Sequence, residues 1–218
     1  MPRSPRLEYP GAVYHITARG IQQGPIFIDD CDRVSLMANL AQALQVGDAQ
    51  AFAYCLMGNH YHFVIQTRRA NLSTLMHDIN SPYCMGFNQR HQRRGHVFEG
   101  RFKAVHVDQD AYLLEVCRYV DLNPVRAGLV HSPMGWAWSS YQAHVGAASP
   151  ASWLATAELH GTLMGQVPQG TAQLAAAQGR YAEFVDAGRE HRLWKASLRQ
   201  RAYLGDDAFV ERVRRLGR

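Results

Sequence analysis

Apolar and polar positions alternate through Val13-Tyr14-His15-Ile16-Thr17-Ala18-Arg19, a run rich in β-branched and aromatic residues set between Pro10-Gly11 and Gly20. That pattern predicts a first strand. The period then lengthens: from Asp29 or Asp30 to Val46, the residues Val34, Met37, Leu40, Ala41 and Leu44 recur at helical spacing behind an acidic start that suits the helix dipole, and Gly47 ends the helix. Ala51 to Met57 and His60 to Gln66 read as two strands joined by Gly58-Asn59, a short hairpin signal. A second helix runs from Leu72 toward Arg90, capped by Asn71, with Leu72, Leu75, Met76 and Ile79 on one face. Ser81-Pro82 should kink or break it, because proline removes a backbone donor and disfavours helical geometry in the residue before it. Phe98 to Val107 predicts a fourth strand, and Asp110 caps a third helix through Leu113, Val116, Cys117 and Val120 that Pro124 stops. The order is βαββαβ followed by a helix, an α+β class.

Beyond Gly128 the pattern weakens. Trp136-Ala137-Trp138-Ser139-Ser140-Tyr141 is aromatic-rich, and Gly161 to Gln178, rich in Ala, Gly, Gln and Thr, reads as a loose connection. Asp206 to Leu216 places Phe209, Val213 and Leu216 on one helical stripe beside several arginines. The expected organisation is a domain over residues 1–146 and a C-terminal extension over 147–218, a loosely structured linker followed by helix. No internal repeat is visible.

Composition narrows the function classes. A chain of 218 residues that is 47% hydrophobic and 19% charged can bury a core without staples. No apolar run approaches the ~20 residues of a membrane span. The basic start Met1-Pro2-Arg3-Ser4-Pro5-Arg6 leads into Leu7-Glu8-Tyr9-Pro10 rather than an apolar signal core, so no membrane association and a cytoplasmic location are expected. Cys31, Cys55, Cys84 and Cys117 form no CxxC pair, which argues against a zinc ribbon or a redox motif and predicts buried free thiols. The net charge of +5 suggests a polyanionic partner.

Three segments carry candidate chemistry. In His60-Tyr61-His62 the strand alternation puts both imidazoles on one sheet face, about 6 to 7 Å apart at Cα, so they can share a divalent cation or simply face solvent. In Tyr119-Val120-Asp121-Leu122-Asn123-Pro124, residues four apart share a helix face with about 6 Å of rise between them. Tyr119 and Asn123 can therefore address one point, or serve as a packing aromatic and a helix-terminal residue. The stretch from Gln89 to Lys103 sets Arg90, Arg93, Arg94, Arg101 and Lys103 against Glu99 alone, interleaved with Phe98 and Phe102. Basic groups hold phosphates and aromatics stack exposed bases, as single-stranded nucleic acid requires, and a solvated charged loop is the other reading.

Taken together, Gly58-Asn59-His60-Tyr61-His62, Gly95-His96-Val97-Phe98-Glu99-Gly100-Arg101-Phe102-Lys103 and Arg118-Tyr119-Val120-Asp121-Leu122-Asn123-Pro124-Val125-Arg126-Ala127-Gly128-Leu129-Val130 make the chain resemble the IS200-like transposases, especially the REP-associated tyrosine transposases, over roughly Tyr9 to Tyr141. The resemblance implies a ferredoxin-like βαββαβ antiparallel sheet with the nucleophile helix packed beside it. It also implies an HUH metal pair at His60 and His62, Asn123 as a third ligand and Tyr119 as the nucleophile. The implied cofactor is Mg²⁺ or Mn²⁺, although imidazole ligands suit Mn²⁺ or Zn²⁺ better. The implied reaction is cleavage and rejoining of single-stranded hairpin DNA through a 5′-phosphotyrosine, with Arg90, Arg93, Arg94, Arg101 and Lys103 as DNA contacts. Glu115, one turn before Tyr119, reads as a solvent-facing carboxylate or a partner of a nearby arginine. A homodimer through an open sheet edge is compatible with the class.

Two readings compete. A nucleic-acid-binding regulator on the same fold would bind without forming an adduct. A hydrolase using His60 and His62 to activate water would release products with no protein attached, and would ordinarily want a carboxylate that the sequence does not place beside the histidines.

Overall fold

The computed structural model describes residues 7–190, 198–199 and 202–216. Its first seven elements follow the predicted order: β1 (Ala12–Arg19), α1 (Asp30–Val46), β2 (Ala49–Leu56), β3 (His60–Thr67), α2 (Leu72–Arg90), β4 (Lys103–Val107) and α3 (Gln109–Asp121). Asp29 opens α1 with a reciprocal capping box to Asp32. Gly47 closes it for lack of space: a Cβ there would sit 2.7 Å from Leu75 Cδ1 and 2.8 Å from the Ala43 carbonyl. Asn71 precedes α2, but its amide donates to the Gly47 carbonyl at 2.8 Å and caps nothing. Helix α2 runs through Pro82 without a break.

Strands β2-β3-β1-β4 lie side by side and wholly antiparallel, the ferredoxin-like arrangement. Alternation divides their side chains. Tyr14, Ile16 and Ala18 of β1 and Tyr61, Phe63 and Ile65 of β3 pack with Leu36, Leu40, Leu75 and Ile79 of α1 and α2. Val13 and Val64 point the other way, into a second core with Val116, Cys117 and Val120 of α3. The sheet is thus covered on both faces, and α3 lies on the face opposite α1 and α2.

Further expectations are corrected. The fourth strand is shorter than Phe98 to Val107: Phe98 makes an isolated bridge to Gly20, residues 99–102 form a loop, and only Lys103 onward pairs with β1. Asp108 rather than Asp110 precedes α3, and Pro124 does not stop the chain's helical path but begins a new turn, α4 (Asn123–Arg126), because a proline in the first turn leaves no helical donor missing. The stretch 161–178, expected to be loose, is largely helical. After α5 (Tyr141–His144), it falls within α6 (Thr156–Met164) and α7 (Gly170–Ala187), which bury Leu159, Tyr181 and Val185 against α3. Cys55 and Cys117 are buried as expected, whereas Cys31 is exposed and Cys84 half-buried.

Two short strands, β5 (Leu198–Arg199) and β6 (Tyr203–Leu204), extend the sheet beyond β4, with β6 parallel to β4, and α8 (Asp207–Leu216) follows. At the opposite edge β2 is already paired. Ala51 N–H bonds the Trp153 carbonyl at 3.0 Å, Ala155 N–H the Ala51 carbonyl at 2.8 Å and Leu56 N–H the Trp138 carbonyl at 2.8 Å. Pairing of a second copy through β2, one route to the anticipated homodimer, is closed by the chain's own backbone. Among the described residues no helix is long and apolar enough to cross a membrane.

His144 ties these connecting segments to the sheet. It is fully buried, its Nε2 donates to the Phe52 carbonyl at 2.9 Å and its Nδ1 accepts from the Thr156 hydroxyl at 3.1 Å. Burial pushes its pKa from 6.5 down to about 3. The folded state therefore requires the neutral ring, and this contribution is complete above pH 6.5 and lost as the pH falls toward 3. His144→Gln should flatten the fall in melting temperature between pH 6.5 and 4, for which one proton contributes at most about 1.4 kcal/mol per pH unit. Identical acid profiles for variant and wild type would refute a buried neutral His144.

Candidate active site

Pairing of β1 with β3 sets Arg19 opposite His60 and Thr17 opposite His62 on the sheet face that α3 covers. The end of α3 brings Tyr119 and Asn123 over this pair. All four of His60, His62, Tyr119 and Asn123 line one cavity of about 440 Å³, together with Arg19, Glu99, Arg101 and Lys103. The two imidazoles of β3 have ring centroids 5.0 Å apart, and Tyr61 between them faces the other layer, where its hydroxyl donates to Asn80 Oδ1 at 2.7 Å.

Hydrogen bonds fix how the imidazoles present themselves. Asn59 donates its amide to the Gln23 carbonyl at 3.0 Å, so its Oδ1 faces His60 Nδ1 at 2.7 Å and assigns the proton to that nitrogen. His62 Nδ1 lies 2.9 Å from Nε2 of His15, which stacks on the His62 ring at 5.1 Å between centroids. The Nε2 of His62 is buried without a hydrogen-bond partner. Burial lowers the His60 pKa to about 4 and the His15 pKa to about 3, and holds His62 well below its ordinary value. Neutral rings held from behind through one nitrogen, as His60 Nδ1 is by Asn59 and His62 Nδ1 is by His15, are the state in which histidine can offer its other nitrogen to a divalent cation.

The ring of Tyr119 meets His62 and His15 edge-on, each at 5.8 Å between centroids. Asn123 donates its amide nitrogen to the Tyr119 carbonyl at 2.9 Å, which leaves the amide oxygen as the group with spare accepting capacity. Among the described residues no three His, Cys, Asp or Glu side chains gather into a metal cluster, and Asn123 and Glu99 line the cavity beside the two histidines as further oxygen donors. An unsatisfied buried imidazole nitrogen beside two further oxygen or nitrogen donors fits an N/O-ligated divalent ion. Glu115 is ion-paired with Arg118.

The basic residues divide. Arg101 and Lys103 line the cavity. Arg93 lies 5.5 Å over the Phe87 ring, and Arg94 is exposed. Arg90 is held by Asp29 and, at 2.7 Å, by the buried Asp32, an anchor for the start of α1. Arg90→Ala should therefore lower the melting temperature while leaving DNA affinity near wild type, and Arg101→Ala should do the reverse in a paired titration and melt. Sequence reading missed His15, Arg19 and Asn59. It also placed no acidic residue beside the histidines, yet the 99–102 loop carries Glu99 into the cavity.

A family model described as "Transposase IS200 like" matches residues 9–123, more than half of the chain. The chain belongs to this family. Membership makes it a DNA-binding transposase-type protein, and the matched span ends at Asn123, so it takes in the whole His60, His62, Tyr119 and Asn123 constellation. Among solved structures, a REP-associated tyrosine transposase bound to a REP hairpin shares its fold with a TM-score of 0.57 at 15% identity, over 67% of this chain and 86% of that one. No functionally curated protein matches the chain.

Proposed function

We propose that this transposase-family chain cleaves and rejoins single-stranded DNA at hairpin sequences through a 5′-phosphotyrosine on Tyr119, within a catalytic region over residues 1–146. The observation that carries the reading is the unsatisfied, buried His62 Nε2 in the same cavity as His60, Asn123 and the Tyr119 ring. His60, His62 and Asn123 would hold Mg²⁺ or Mn²⁺. Such an ion, when bound, supplies Lewis-acid stabilisation of charge on the scissile phosphate.

The chain's own residues do the rest. A free phenol, with a pKa near 10, is a weak nucleophile at neutral pH, so the packing of Tyr119 against His15 and His62 supplies orientation. Attack in line forms the O–P bond to Tyr119 as the P–O3′ bond breaks and the 3′ oxygen leaves as a hydroxyl. One phosphodiester replaces another, so an incoming 3′-OH can reverse the step without ATP. Arg101 and Lys103 hold the strand's phosphates at the cavity, and the exposed Arg93 and Arg94 are further phosphate contacts. A second copy is not required for any of these groups to meet.

Labelled single-stranded hairpin DNA incubated with the protein and Mn²⁺ should yield an adduct that survives denaturation. Tight binding without an adduct would instead identify a non-cleaving regulator, and cut DNA with no protein attached would identify a hydrolase. Each extra phosphate contact made by Arg101 or Lys103 should steepen the salt dependence, so Lys103→Ala should reduce the logarithmic slope by about 0.7.

A further inference from the structure

Helix α7 lies outside the family-matched span, yet it and the Gly188 that follows it are tied to α3 and α4 by three hydrogen bonds. The Tyr181 hydroxyl donates to Asp121 Oδ2 at 2.8 Å, and the other carboxylate oxygen accepts from the Ser140 hydroxyl at 2.7 Å. Tyr181 and Asp121 are fully buried, so this bond fixes the last turn of α3 against α7. At the far end of α7, the Gly188 carbonyl accepts from Arg126 Nη2 at 3.1 Å, and the Arg126 guanidinium lies 5.2 Å over the Tyr119 ring. The approach is close enough that Gly188 has no room for a Cβ, which would collide with Arg118. Arg118 in turn donates to the Phe184 carbonyl at 3.2 Å and stacks on the Phe184 ring at 4.3 Å.

We propose that α7 is a positioning element for the nucleophile: Tyr181 holds Asp121, and the Gly188 carbonyl holds Arg126 over the Tyr119 ring, so that the C-terminal extension sets the attack geometry of a tyrosine it does not touch. This rests on the assignment of Tyr119 as the nucleophile. Tyr181 and Gly188 do not line the cavity. Their effect should fall on the chemical step, where a displacement of about 1 Å costs up to about 100-fold.

The test uses the full chain, a single-stranded hairpin oligonucleotide and Mn²⁺, with adduct formation followed in single turnovers over a range of DNA concentrations. Arg126→Ala should lower the saturating rate about 10- to 100-fold and leave the apparent Kd within about twofold, and Arg126→Lys, which keeps a cation near the ring, should recover part of the loss. Tyr181→Phe should lower the same rate about fivefold, again without a change in Kd. In parallel, 3-fluorotyrosine at position 119 should report a shifted or broadened ¹⁹F resonance in Tyr181→Phe. Wild-type saturating rates with an unmoved resonance would overturn the inference, as would losses confined to Kd, which would make Arg126 a phosphate contact. If Arg126→Ala melts below the assay temperature, Arg126→Lys and Tyr181→Phe decide by the same criteria. A wild type that forms no adduct would refute the cleavage reading, and the ¹⁹F comparison would still decide the tethers.

Discussion

Tyr119→Phe should abolish the DNA adduct and lower strand cleavage by about 10⁴-fold or more, the outcome expected if Tyr119 is the covalent nucleophile and loses its reacting atom. The substitution removes the phenolic oxygen and keeps the ring. The ring keeps its edge-on contacts with His15 and His62 and its place beneath Arg126, and the bond from the Asn123 amide goes to the Tyr119 backbone carbonyl, which phenylalanine retains. DNA affinity and melting temperature should therefore stay near wild type while chemistry disappears. That separation distinguishes a nucleophile from a packing aromatic, whose removal would move stability and affinity together. Denaturing electrophoresis of end-labelled hairpin DNA reads the adduct directly, and an undiminished adduct in Tyr119→Phe would refute the assignment.

What the sequence made legible is what periodicity and turn chemistry encode. The order of β1 to α3 follows from runs with period two or 3.6 separated by Gly, Pro and Asn, and His60 with His62 was placed on one face by alternation alone. What it hid depends on register. His15 lies 47 residues from His62, and only the antiparallel pairing of β1 with β3 lets their rings stack. Arg19 and Glu99 enter the cavity for the same reason, the latter on a loop that reads as strand because Phe98, Phe102 and Val105 suit one. Helix α7 reads as a connection because Gly170 and Gly179 dilute its pattern and its buried face is small. The helical signal was nonetheless present: Ala177, Tyr181 and Val185 recur every four residues, in a segment rich in the strong helix formers Ala and Gln. A polar, Ala-rich surface gave no reason to expect that this helix reaches back to the tyrosine.

The register-dependent pairing of His15 with His62 also sets the second large effect. His62→Ala should remove measurable Mn²⁺ binding and lower cleavage by about 10³-fold or more, because it deletes the buried, unpartnered imidazole nitrogen of this cavity and leaves only one of the two proposed histidine ligands to hold the ion. His15→Ala keeps both candidate ligands but removes the ring that stacks on His62 and meets its Nδ1, so Mn²⁺ affinity should fall about 10- to 100-fold. Raising Mn²⁺ should then restore cleavage in His15→Ala and not in His62→Ala. Combining His62→Ala with Tyr119→Phe should cost scarcely more than either alone, since groups that act as one unit fail together. Calorimetric titration with Mn²⁺, run beside cleavage assays at rising metal concentration, separates these outcomes. Wild-type Mn²⁺ binding by His62→Ala would place the ion elsewhere and remove the histidine pair from the chemistry.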